Sequence, residues 1–139
     1  MAAALVTLAA TACAPVQRGP GDAPTLGHGM TTVQVTASYR ERILMLPGST
    51  LTVRLEDVSL ADAAARVLAE QTVSASEGGP PYTVTLGIPS SQIDPRHTYA
   101  ARAEIRDADG RLRFTTDTRH TVLTYGAPAT ANIVMVGVR

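Results

Sequence analysis

Three histidines, His28, His97 and His120, are the side chains in this sequence best suited to moving a proton or holding a metal ion. Hydrolysis would need one of them in contact with a nucleophile and a carboxylate. Ser90 and Ser91 lie in a loop, and no G-x-S-x-G turn surrounds them. With seven serines and three histidines in 139 residues, chance proximity is expected. No two histidines have the short spacing that zinc sites use. His97 and His120 follow Arg96 and Arg119 and are expected to face solvent, and His28 stands alone between glycines. Asp107 and Asp109 resemble the start of a calcium loop, but the later ligands are missing, and with Gly110 they read as a hairpin turn. There is no P-loop and no dinucleotide fingerprint. The expectation is a non-enzymatic protein, with no catalytic residues, no metal and no cofactor.

The one cysteine, Cys13, offers a different chemistry. Alone it can make neither an internal disulfide nor a structural zinc site. Met1 to Ala12 is an uncharged apolar run, too short for a membrane span of about 20 residues. It fits the apolar region of a secretory signal with small residues at its end. Ala10-Thr11-Ala12-Cys13 resembles a bacterial lipobox, whose Cys thiol takes a diacylglycerol before the chain is cut ahead of it. Ala10 stands where Leu is usual, and no Arg precedes Arg18. A plain signal peptide cut after Ala12 and a buried first strand are the alternatives. The lipobox resemblance implies attachment to a membrane through Cys13. Each buried methylene contributes about 0.8 kcal/mol, so two or three acyl chains hold firmly. Ala14 after the Cys resembles an outer-membrane address, which places the protein at the envelope, on the periplasmic face.

The rest of the chain must form whatever the anchor carries. Residues 1–12 read as the signal peptide and 13–30 as a lipid-anchored tether rich in Pro and Gly, with a coil span of roughly 23 Å. Residues 31–139 read as one domain. Its apolar residues repeat with period two: Val33, Val35, Ala37 and Tyr39; Leu51, Val53 and Leu55; Tyr82, Val84 and Leu86; Tyr99, Ala101, Ala103 and Ile105; Leu112 and Phe114; then the apolar run from Asn132 to Val138. Leu46-Pro47-Gly48, Glu77 to Pro81, Asp94-Pro95, Asp107 to Gly110 and Gly126 to Pro128 supply turns. Ser59 to Glu70 is ambiguous. Ser59 and Asp62 resemble a helix cap and the alanines favour helix, yet Val67 and Ala69 alternate with Arg66, Leu68 and Glu70. Strand spacing on either side favours a strand from about Ala65 to Val73. The expected fold is all-β, an immunoglobulin-like antiparallel sandwich of about seven strands, with a small barrel as the alternative.

Several runs in this domain resemble the YbaY-type lipoproteins, whose domain is shared with YscW, a lipoprotein of type III secretion. They are Tyr39-Arg40-Glu41-Arg42-Ile43, Leu46-Pro47-Gly48, Leu55-Glu56-Asp57-Val58-Ser59, Ala61-Asp62-Ala63, Ile93-Asp94-Pro95, Tyr99, Gly110-Arg111-Leu112, Phe114 to Asp117 and Val122-Leu123-Thr124. Ala64 and Leu46 stand where that family often has Pro. The resemblance implies an all-β envelope lipoprotein and supports the strand near Val67. It supplies no catalytic residue. Within the family, the YscW branch has a pilotin-like role in assembling a secretin.

Twelve Arg and no Lys balance twelve acidic residues, so net charge is zero and a nucleic-acid partner is not expected. Arg40, Glu41 and Arg42 end an apolar strand at Tyr39, and these four residues are the candidates for contact with a partner. Arg suits that role because its planar guanidinium forks onto carboxylates. The leading function is a lipid-anchored module that binds or assists an envelope protein assembly, with strand addition at a sheet edge as one mode. A periplasm-facing binder of small ligands or glycans is the alternative, although four Tyr and one Phe leave few rings for it.

Overall fold

The computed structural model describes residues 29–139. The segments expected to be signal peptide and tether, with Cys13 and His28, lie outside the described residues. Eight strands follow in order: β1 (Met30–Tyr39), β2 (Thr50–Asp57), β3 (Arg66–Ser74), β4 (Tyr82–Pro89), β5 (Tyr99–Arg106), β6 (Leu112–Thr115), β7 (His120–Val122) and β8 (Thr130–Gly137), with one 3-10 turn at Ser90–Gln92. They form one sheet in the order β3-β2-β5-β6-β8-β1-β4, with β7 on β5. The seven expected strands are present, and β7 is an additional short one.

The sandwich expectation is corrected here. A sandwich keeps two sheets apart, whereas β8 pairs with β6 on one side and with β1 on the other. That joins all strands into one sheet that curls into a nearly closed barrel. Its two end strands, β3 and β4, meet near their connecting turn, where the Tyr82 hydroxyl donates to the Ala75 carbonyl at 2.8 Å. The β1–β8 pair is parallel and every other pair antiparallel.

Alternation along each strand points one residue set inward. Val33, Val35, Leu51, Val53, Leu55, Ile88, Ile105 and Ile133 are fully or almost fully buried. Tyr39, Tyr82 and Phe114 close one end of this core. The Tyr39 ring stacks on Phe114 at 4.5 Å between centroids and tilts against Tyr82 at 6.5 Å. Burial, aided by Tyr39, pushes the Tyr82 hydroxyl up to about 12, so it stays a proton donor.

The ambiguous segment resolves as a strand from Arg66. Ser59 cannot cap a helix, because its hydroxyl donates to Asp57 Oδ1 at 2.6 Å and accepts from the Thr98 amide at 2.9 Å. A register shift between Leu55 and Glu56 breaks the alternation in β3. Leu68 and Ala69 are consequently both half-buried, and Val67 faces out.

The strand directions sort the loops into two poles. The chain enters β1 at one pole, called proximal, beside the 58–65 and 123–129 loops. The 40–49, 75–81 and 107–111 loops and the carboxyl terminus lie at the distal pole. Leu46-Pro47-Gly48-Ser49 makes a tight turn there, with the Ser49 amide on the Leu46 carbonyl at 3.1 Å. Gly48 has φ +84°, and a Cβ on it would stand 2.7 Å from the Ala108 Cβ, so only glycine fits.

A candidate partner-binding pole

The apolar run Ile43-Leu44-Met45-Leu46 follows β1 without joining a strand. Met45 turns in and joins the buried core. Its neighbours turn out: Leu44 is 84% exposed and Leu46 59%, with Ile43 also open to solvent. The loop is held rather than loose. The Tyr39 hydroxyl donates to the Ile43 carbonyl at 3.0 Å from below, and the Pro47-Gly48 turn fixes the far end.

Arg40, Glu41 and Arg42 are all exposed beside these apolar side chains. None of the three forms an ion pair among the described residues. The Glu41 carboxylate lies over Gly137, where a Cβ would meet it at 3.3 Å. Tyr39, expected with them as a contact residue, is instead buried at 7% exposure and supports the loop. Sequence reasoning missed Ile43, Leu44 and Leu46. The signal that could have found them is the turn directly after them, which stops the run from continuing as a strand. Large apolar groups that stay in water at a fixed place, rimmed by charge, mark interaction sites.

The proximal pole brings together the polar groups that could have suggested catalysis. His97 Nδ1 lies 2.7 Å from Asp57 Oδ2, and Ser59 donates to Asp57 Oδ1. The carboxylate therefore sits between hydroxyl and imidazole, so the imidazole cannot take the serine proton as a triad base must. Asp57 acts as a clip between the β2 end and the 94–98 turn. His97 is half-buried rather than free in solvent, and His120 opens β7 opposite Ala101. No group of three or more His, Cys, Asp or Glu among the described residues is placed to hold a metal ion.

This clip has a pH signature. Burial pushes the Asp57 carboxyl up, but hydrogen bonds from the Ser59 hydroxyl and amide and from His97 outweigh it and leave it below its ordinary 3.8. Asp94 drops to about 2, chiefly through the Arg96 guanidinium and then its amide. A depressed carboxylate contributes stability that is present above the unfolded value and lost as pH falls through the folded one. Arg96 is exposed and Asp94 only half-buried, so water screens that pair, and the more buried Asp57 carries more of the effect. Denaturant melts at stepped pH are expected to show stability falling below about pH 4, with a shallower slope in Asp57→Asn and a nearly unchanged slope in Asp94→Asn. Equal slopes in wild type and Asp57→Asn would contradict this assignment.

A family model for the type III secretion system lipoprotein chaperone (YscW) matches residues 28–135. The uncharacterized lipoprotein YbaY of Escherichia coli is 32% identical over 107 residues, which are 77% of this chain and 55% of that protein. The chain thus spans about half the length of this curated relative. Among solved structures, an alternative pilotin from the type II secretion system of Vibrio cholerae is similar with a TM-score of 0.74 and 36% identity, over 79% of this chain and 98% of the pilotin. Neither the chaperone nor the pilotin is described as an enzyme. A match that covers most of the barrel, from the entry of β1 into β8, makes this chain a member of the YscW lipoprotein-chaperone family.

Proposed function

We propose that this protein is a chaperone-like lipoprotein, anchored through Cys13 in the outer membrane with its barrel in the periplasm, that holds an apolar segment of an envelope protein during assembly. The observation that carries the reading is the fixed, exposed Ile43-Leu44-Leu46 surface at the distal pole. The chain enters β1 at the opposite pole, so this surface lies at the end of the barrel remote from that entry. Arg40, Glu41 and Arg42 add charge contacts at the rim, with Tyr39 beneath them as support. A chaperone named for type III secretion and a pilotin of type II secretion are the kinds of protein whose likeness supports this reading.

Two measurements on native membranes test it together. Intact mass is expected to show a chain that starts at Cys13 and is heavier by two or three acyl chains, with Cys13→Ala unmodified. A photo-reactive side chain at position 44 is expected to cross-link one envelope protein, while the same group at position 34, on the flank of β1, does not. An uncut or unmodified chain would sink the anchor. Adducts only to lipid, or the same adducts from both positions, would sink the distal client surface.

A further inference from the structure

Charge on this barrel is sorted by flank. β8, β1 and β4 are neighbours in the sheet, and together they hold no Asp, Glu, Lys or Arg. On the other flank β3, β2 and β5 each carry both signs. There Arg54 is bound by Glu70 at 2.6 Å and by Glu104 at 3.3 Å.

The uncharged flank is open to solvent. Val134 and Val136 on β8 are exposed, and so is Val138 just beyond them. β1 runs down the middle of the flank, with Gln34 exposed and Thr36 half-buried. Thr83 and Thr85 are exposed on β4. Charge returns only at the rim, where Glu41 lies over Gly137 and Arg113 on β6 reaches Asp107 at 3.7 Å. Depletion of charge around exposed apolar side chains is the composition of an interface centre.

The side chains also indicate what covers this flank. A twofold contact sets each group against its own kind. Carboxylates repel carboxylates and guanidinium groups repel guanidinium groups, which makes the charged flank a poor self-partner. Every polar side chain on β1, β4 and β8 is instead a hydroxyl or a carboxamide. Such groups both donate and accept, so each can bond its own copy. Hydroxyls already pair in this way within the chain, Thr31 with Ser90 at 2.7 Å and Thr52 with Thr72 at 3.1 Å. Valines pack equally well on valine or on threonine methyl groups.

We infer that the β8-β1-β4 flank is the contact between two copies of this chain, face to face about a twofold axis along β1. Gln34 and Thr36 meet their counterparts near the axis, and the β8 valines of each copy lie toward β4 of the other. An axis in this direction leaves both β1 entries at one end of the pair and both Leu44 surfaces at the other. The pair therefore offers two leucine surfaces side by side. This contact stands independently of what those surfaces bind.

The test is sedimentation equilibrium of the full chain in density-matched detergent, with Gln34→Glu and Gln34→Arg as variants. Gln34 is exposed, so both variants should melt like wild type. Wild type is expected to approach twice the chain mass as concentration rises. Each variant alone sets like charges at the axis and should weaken self-association tenfold or more, whereas an equimolar mixture of the two restores it. In native membranes, a photo-reactive group at position 34 of an otherwise unchanged chain is expected to join two copies of this chain. A monomer mass at every concentration, variants that associate as wild type does, a mixture no stronger than either variant alone, or an adduct from position 34 only to a different protein would each overturn the assignment.

Discussion

Tyr39→Ala is expected to lose about 3–5 kcal/mol of stability, as large aromatic truncations in cores do. Three contacts go at once: the stack on Phe114, the tilted contact with Tyr82, and the hydroxyl bond to the Ile43 carbonyl. Domains of this size typically hold about 5–15 kcal/mol in total, so the loss is a large fraction. Thermal or denaturant unfolding of the isolated chain reads it directly. Tyr39→Phe keeps the ring and isolates the hydroxyl, at a cost of about 0.5–1.5 kcal/mol. Its second expected effect is functional: the Ile43 carbonyl loses its tie, and amide exchange quickens across residues 43–46. If Tyr39→Ala unfolds at the same denaturant concentration as wild type, the aromatic cluster does not support the distal pole as described.

The paired substitution Leu44→Glu with Leu46→Glu is expected to leave folding nearly unchanged and to remove client binding. Both side chains are already in water, and surface changes of this kind usually move stability by no more than about 0.5 kcal/mol. Burying a leucine against a partner contributes about 1.5–3 kcal/mol. Two such losses amount to at least about a hundredfold in affinity, since each 1.4 kcal/mol is tenfold. The readout is the yield of the cross-link from a photo-reactive group at position 43, next to the changed residues. Leu44→Met with Leu46→Met keeps the apolar surface and should keep the yield. Undiminished cross-linking in the double Glu chain would show that these leucines are not the contact.

Much of the barrel is visible in the sequence because each long strand alternates. Val33 to Tyr39 and Tyr99 to Ile105 carry inward residues at every second position, and solvent on the other face preserves the pattern. Three features leave no such trace. His120–Val122 is too short to show a period. The pairing of the first strand with the last depends on groups far apart in sequence, so local pattern cannot tell a sandwich from a barrel. The bulge beside Leu55 shifts β3 by one residue, which turned Val67 outward where Val67 and Ala69 had shared a face.

The candidate site was half legible. Charge made Arg40, Glu41 and Arg42 conspicuous, but Ile43 to Leu46 reads like any apolar run destined for a core. Which of its members face out depends on how the Pro47-Gly48 turn meets β2 and Ala108, a tertiary matter. The loop ahead of β3 was hidden for a similar reason. The 59–65 stretch has a helix-forming composition, but the Ser59 hydroxyl that would cap a helix is engaged by Asp57 and the Thr98 amide.

The position of β8 also governs the order in which this molecule can be built. It is the one strand that links the β1–β4 pair to the other strands, and residues such as Ser38 and Ile133 that meet there lie 95 positions apart. Closing so long a span comes late and slowly in folding. A chain delivered amino terminus first can form hairpins as it emerges, but it cannot seal the barrel until β8 is free. Before that moment the apolar face of β1 lacks its cover from the rest of the sheet, and the chain stays loose. Afterwards β1 and β8 lock each other and the barrel is set.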